Sequence, residues 1–160
     1  MFVRCKNTYP LQKIIRCVNR NLKIGYMLLY RDITDKIIEA FYEVCHNLAI
    51  GYAEKVYERA FVYELKQRGL LVAAQVPLQV TYKEKVIVGN FVADIIVNDT
   101  IILELKAVRT ITKNHVAQLI NYLTTTKMQV GFVFNFCGDR KFVRRIGPVV
   151  CDDEHRSFTD

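Results

Sequence analysis

The spacing of apolar residues changes period once, near Gly69, and that change restricts the chain to folds that pack helices on a sheet. Upstream, Ile33, Ile37, Ile38, Phe41, Val44, Cys45 and Leu48 recur at intervals of three and four, the signature of one helical face. Thr34 or Asp32 is placed to cap that helix, and Gly51 breaks it. A second helix is predicted over residues 53–68, with Val56, Tyr57, Ala60, Phe61 and Leu65 inward and Gly69 just past its end. Downstream the period falls to two. Residues 72–82 read as a strand, and Pro77 makes it an edge or bulged one, because proline has no N–H to give a ladder. A polar turn at 83–85 leads into one or two strands over 86–97, with Gly89-Asn90 as a kink or bulge. Residues 98–100 form the next turn and 101–106 the next strand. A helix follows over 113–126, with Val116, Leu119, Ile120 and Leu123 as its stripe. Residues 129–136 are largely apolar, as in a strand buried on both faces, and 141–146 make the last strand. The order α-α-β-β-β-α-β-β implies an α/β sandwich around one mixed sheet.

At 160 residues the chain is sized for one domain. Apolar residues make up 51%, and nine Phe and nine Tyr fill the core that a chain without Trp must build. The net charge of +7 invites a nucleic-acid reading, but its location weakens the inference. Residues 1–31 carry seven basic groups and no acid, whereas the other 129 residues carry 16 of each sign. The expected organisation is a basic extension over 1–30, a domain over 31–147 and a polar tail over 148–160. The acid-free extension loosely resembles an organelle transit peptide; a leader preceding a start at Met27 is the plainer alternative. The five cysteines form no C-x-x-C pair, which argues against zinc or iron–sulfur and for free thiols in a reducing, cytoplasmic setting. No apolar run is long enough for a membrane span.

The chemistry is concentrated in residues 91–106. Alternation places Glu104 and Lys106 on one face of their strand and Leu103 and Leu105 on the other. If 98–100 is a three-residue loop, Val97 pairs with Ile101 and Asp94 stands opposite Glu104; a two-residue loop would set Asp94 beside Leu103 instead. Two carboxylates facing each other among apolar neighbours repel, and burying them needs positive charge between them. Lys106 supplies one charge. A hard divalent cation such as Mg²⁺ or Mn²⁺, which keeps several waters and accepts phosphate oxygens, would supply two more. The competing reading makes Glu104 and Lys106 the solvated face of an edge strand and predicts both to be exposed. On the second helix, Glu54 falls on the inward stripe with Tyr57 and Phe61, and on the later helix Gln118 and Tyr122 project together at i, i+4. His115 lies on that stripe too, where a structural or solvated role is the plainer expectation.

The set Asp94, Glu104-Leu105-Lys106, Gln118 and Tyr122 resembles the PD-(D/E)xK nuclease superfamily. More narrowly, Gly51-Tyr52-Ala53-Glu54-Lys55-Val56-Tyr57 is similar to the G-x-x-E-x-x-Y signature that gives one group of small bacterial proteins its name. The likeness continues through Gln75-Val76-Pro77, Gly89, Ala93-Asp94, His115, Gly131-Phe132 and Asn135-Phe136, and spans residues 32–146. The resemblance implies a restriction-endonuclease-like core, a central mixed β-sheet flanked by helices. It implies Asp94 and Glu104 as metal ligands, with the Leu105 carbonyl beside them, Lys106 as catalytic lysine and Glu54 as a helix-borne acidic member of the site. Gln118 and Tyr122 would contact the nucleic-acid backbone, and Arg109, Lys113, Arg144 and Arg145 are further candidates for phosphate neutralisation. Ala93 stands where the family pattern has proline, a common variation. The expected activity is Mg²⁺- or Mn²⁺-dependent hydrolysis of phosphodiester bonds, with DNA the expected substrate. The alternative is a non-cleaving nucleic-acid- or protein-binding module on the same fold, since fold alone does not fix activity. Oligomeric state is not legible in the sequence.

Overall fold

The computed structural model describes residues 30–147, apart from residue 84. The expectations for residues 1–29 and 148–160 lie outside the described residues. From Ile33 onward the chain belongs to one compact unit. Two helices, α1 (Arg31–Asn47) and α2 (Glu54–Gln67), precede three strands, β1 (Val72–Tyr82), β2 (Val86–Val97) and β3 (Ile101–Lys106). Helix α3 (Lys113–Thr126) then leads to β4 (Val130–Asn135) and β5 (Phe142–Ile146). The order is the one the apolar spacing predicts, and β3 and α3 begin and end at the expected residues.

Local chemistry explains the boundaries. Gly69 takes a φ of +74° after α2. Its N–H donates to Lys66 O at 3.0 Å, and Leu70 N–H donates to Leu65 O at 3.2 Å, the paired bonds of a Schellman stop. Helix α3 starts in a capping box: Thr112 Oγ1 accepts from the His115 N–H, and His115 Nδ1 accepts from the Thr112 N–H. His115 therefore has the structural role expected of it. Between β2 and β3, Asn98 and Asp99 both adopt positive φ, which short polar side chains tolerate.

The five strands lie in the order β1-β2-β3-β4-β5. All neighbours are antiparallel except β3 and β4, which run parallel across the α3 crossover. Pro77 is accommodated because β1 is an edge strand. The bulge in the β1–β2 ribbon falls at Val88, skipped between the pairs Val80–Gly89 and Thr81–Ile87, one residue before the predicted Gly89-Asn90. Strands β3 and β4 are buried along almost their whole length. On one side, Phe41 of α1 and Tyr57 and Phe61 of α2 pack against Phe134 and Phe136. On the other, Leu119, Tyr122 and Leu123 of α3 pack with Ala93, Ile96, Ile102 and Val133. Gly131 permits that close approach, since a Cβ there would meet Leu119 Cδ1 at 2.7 Å.

Two inward assignments are corrected. Val56 is 39% exposed and Ile120 is 42% exposed, while Glu58 and Tyr122 are buried in α2 and α3. Among the described residues no helix is long and apolar enough to cross a membrane.

Candidate active site

Strand β3 delivers Glu104 and Lys106 into the interior rather than to solvent. The Glu104 side chain is 2% exposed and that of Lys106 14%, and Lys106 Nζ donates to Glu104 Oε1 at 2.6 Å. These exposures exclude the solvated-edge reading. The hairpin has the register of a three-residue loop, with Val97 opposite Ile101 and Ile95 opposite Leu103. The ladder stops there. Asp94 does not enter a regular pair with Glu104; its Oδ2 instead accepts the Leu105 N–H at 2.8 Å.

An irregularity in the β1–β2 ribbon accounts for this. Ala93 and Ile96 lie three residues apart yet pack in the same cluster under α3, so the alternation of β2 slips between them. Across the ribbon, the pairing lapses at Gln75, between Ala74–Ile95 and Val76–Ala93, and Gln75 has a φ of +55°. The slip turns Asp94 toward the backbone of β3. Within a strand, the N–H and C=O of one residue point to the same edge. The Leu105 N–H is given to Asp94, so its carbonyl faces the same gap, while the Lys106 carbonyl faces β4 and accepts the Phe136 N–H at 2.9 Å.

Helix α2 adds acids from its first turn. Glu54, its first residue, is half-buried beside the positive end of the helix dipole, and the Ala107 backbone just past Lys106 acts to lower its pKa. From α3, Gln118 Nε2 donates to Tyr122 Oη at 2.8 Å, and the Tyr122 ring meets Phe91 at 5.9 Å. Asp94, Glu104, Lys106, Glu54 and the Gln118–Tyr122 pair are therefore brought to one place, where β2 and β3 part.

The electrostatics are those of crowded, poorly solvated acid. Burial pushes the Glu104 carboxyl up to about 7, and the neighbouring Asp94 adds to the rise. Burial also raises Asp94, against the pull of its Leu105 hydrogen bond and of Lys106. Glu54 is raised by burial and by Asp94, with Lys106 opposing. Burial acts to lower Lys106, but its hydrogen bond to Glu104 and the surrounding carboxylates outweigh it and hold the ammonium charged. Burial raises Tyr122, with Glu104 and Asp94 adding to the rise.

One acceptor is left over. Glu104 Oε2 is buried and takes no hydrogen bond among the described residues. An orphaned carboxylate oxygen next to a second carboxylate and an inward-facing carbonyl is a hard-oxygen donor set, which suits Mg²⁺ or Mn²⁺. No three His, Cys, Asp or Glu side chains among the described residues gather closely enough to hold an ion by themselves. A cation here would be held by Asp94, Glu104 and the Leu105 carbonyl, with water to complete its shell.

Residues 31–146, from α1 through β5, match the family model of the PD-(D/E)XK nuclease superfamily. The chain belongs to the PD-(D/E)XK nuclease superfamily. Neither the curated proteins nor the solved structures hold a match to it.

The remaining basic candidates divide. Arg109 and Lys113 are exposed on the loop and first helical position that follow Lys106. Arg144 and Arg145 lie on β5, two strands from β3, and Arg144 stands over the Phe132 ring at 5.9 Å, so they are not joined to the carboxylates. Two residues that touch the site, Glu58 and Gln75, have no site role in the sequence reading, although Gln75 falls in the Gln75-Val76-Pro77 stretch of the likeness. Glu58 is buried one turn after Glu54, bonded to Lys55 Nζ at 2.6 Å and to Gln75 Nε2 at 2.7 Å. The i, i+4 spacing of Glu54 and Glu58 could have shown the first; the left-handed Gln75 has no local sequence signal. Asn135, fully buried, clamps the loop beyond Lys106 by bonding the Val108 N–H at 3.0 Å and the Val108 carbonyl at 2.8 Å.

Proposed function

We propose that the protein is a divalent-metal-dependent nuclease that hydrolyses phosphodiester bonds, with DNA as substrate, and that within its superfamily it belongs to the G-x-x-E-x-x-Y group. The observation that supports this most is the orphaned Glu104 Oε2, buried beside Asp94 and Lys106 where β2 and β3 part. Asp94, Glu104 and the Leu105 carbonyl hold the cation, and Glu54 tightens the acidic end of the site from α2. Bound Mg²⁺ or Mn²⁺ would lower the pKa of a water and neutralise charge on the scissile phosphate. Lys106 keeps its proton and places a fixed positive charge against the developing phosphorane oxygens. Gln118 and Tyr122 hydrogen-bond backbone phosphate oxygens, which sets position without reading sequence. Arg109 and Lys113, exposed on the segment that follows Lys106, neutralise further phosphates. Cys45 and Cys137 are free thiols, in keeping with a reducing, cytoplasmic setting.

A second reading, a binding module that does not cleave, is favoured by the lack of a three-side-chain ligand group among the described residues. Titration of Mn²⁺ into the protein and its Asp94→Asn variant, followed by incubation with single- and double-stranded DNA, separates the two. Saturable binding and metal-dependent cleavage, both lost in the variant, are the expected result. Binding without cleavage on any substrate would support the module, and no binding would remove both readings of the carboxylates.

A further inference from the structure

Glu58 and Gln75 stand outside the mechanism above but touch its first member. Both oxygens of the buried Glu58 carboxylate are engaged, Oε1 with Lys55 Nζ at 2.6 Å and Oε2 with Gln75 Nε2 at 2.7 Å. A carboxylate so satisfied has little left for a cation, unlike Glu104 with its orphaned oxygen. Gln75 sits across the ribbon from Asp94, where β1–β2 pairing lapses, with a φ of +55°. A non-glycine residue held in that region inside a strand marks a backbone constrained by its surroundings. Its side chain also acts on the Asp94 carboxyl, lowering its pKa against burial. An amide nitrogen carries two hydrogens; Glu58 takes one, and the second is free to turn to Asp94 across the ribbon. Glu58 can only accept, so it forces the nitrogen end of the Gln75 amide inward; the carbonyl end would set oxygen against oxygen at both partners. Asp94 is then gripped from two directions, by Gln75 and by the Leu105 N–H at 2.8 Å.

We propose that Glu58 and Gln75 form a positioning relay that fixes the Asp94 carboxylate in the orientation needed to hold a divalent cation. The inference rests on the reading of Asp94 and Glu104 as cation ligands. Partners that orient a ligating carboxylate govern affinity without touching the ion, and removing one typically weakens metal binding about 10- to 100-fold. A tie that merely fastened α2 to β1 would lower the melting temperature and leave cation affinity alone.

The test is calorimetric titration of MnCl₂ into the full chain and into Gln75→Met, Glu58→Leu and the double variant, with Asp94→Ala as the blank and thermal melts alongside. Gln75→Met keeps the length of the side chain and loses the amide. The expected result is a Kd for Mn²⁺ raised about 10- to 100-fold in Gln75→Met. Glu58→Leu should show a similar or smaller loss, and the double variant no more than Gln75→Met, because Glu58 acts through Gln75. If Glu58→Leu fails to fold, Glu58→Gln retains an acceptor for the amide and should bind Mn²⁺ more tightly than Gln75→Met. An unchanged Kd in a folded Gln75→Met, with saturable binding in the unaltered protein, would overturn the relay and leave the metal reading standing. Fully additive losses in the double variant would overturn the order of the relay. No saturable binding by the unaltered protein would overturn both.

Discussion

Glu104 pays the largest electrostatic penalty of any described carboxyl, and that penalty is measurable. Its folded pKa of about 7 lies above the ordinary 4.5, so the folded state holds a proton that the unfolded state has lost. The stabilising contribution of that proton is complete below pH 4.5 and is lost as pH rises to about 7. A shift of this size corresponds to about 3 kcal/mol. Asp94 and Glu54 are raised as well and act in the same direction. Metal-free protein unfolded by urea should therefore lose stability between pH 4.5 and 7. Glu104→Gln should flatten most of that slope, and saturating Mn²⁺, which binds ionised carboxylates, should flatten it in the unaltered chain; a slope untouched by either change would contradict the assignment. Asp94 calls for a different pair of variants because it is both a charge and an acceptor. Asp94→Asn keeps an oxygen for the Leu105 N–H while removing the repulsion with Glu104, whereas Asp94→Ala strands that N–H. Both should abolish cleavage, and Asn should be more stable than Ala by about 1–3 kcal/mol in matched denaturation curves. Lys106→Met should cut kcat at least about a hundredfold. It should also raise the Glu104 pKa further, since it removes the bond at 2.6 Å that opposes burial.

At the scale of elements, legibility followed periodicity. The bounds of β3 and α3 could be read residue by residue because their apolar pattern is strong and their neighbours are turn residues. The inward face of α2 is open to misreading because intervals of three and four fit more than one arc of a helix. At about 100° per residue, Glu54 and Glu58 fall within the sector of Tyr57, Phe61 and Leu65, while Val56 points away from it. Ile120 falls at the margin of the α3 stripe by the same reckoning, and Tyr122 takes the inward place. The sequence narrows the hairpin to two registers, and with the three-residue loop that is observed the meeting of Asp94 with β3 could be foreseen. Its form could not, because the slip in β2 depends on the left-handed Gln75, a conformation that glutamine does not advertise. Gly69 is the contrasting case, a conformation announced by residue type. A Cβ at Gly69 would meet nothing within 4 Å, so Gly69→Ala carries only the backbone cost of a positive φ, about 1 kcal/mol. Denaturation should register that loss with Mn²⁺ affinity unchanged, which makes this variant a control for ordinary destabilisation in the site series.

At the scale of the whole chain, the excess positive charge and the candidate chemistry fall in different stretches of the sequence. The cluster holds four carboxylates, Glu54, Glu58, Asp94 and Glu104, with Lys106 as its most enclosed cation and Lys55 half-exposed at its rim. Without a bound cation this face repels a polyanion, so attraction to nucleic acid has to come from elsewhere. The sequence excess lies in residues 1–31, and the rest of the chain is balanced at 16 basic and 16 acidic groups. The family match begins at residue 31, so removing residues 1–30 takes away Arg4, Lys6, Lys13, Arg16, Arg20 and Lys23 and leaves the matched region whole. Binding to duplex DNA measured against salt should weaken in the shortened chain. Its log–log slope should flatten by up to about 5, on the scale of 0.9 released counterions per phosphate contact. Mn²⁺ affinity should stay the same, because every proposed ligand lies beyond residue 90. An unchanged slope would instead place phosphate capture on the matched region, where Arg109 and Lys113 are the exposed cations nearest the end of β3 in sequence, and their removal would then carry the salt dependence.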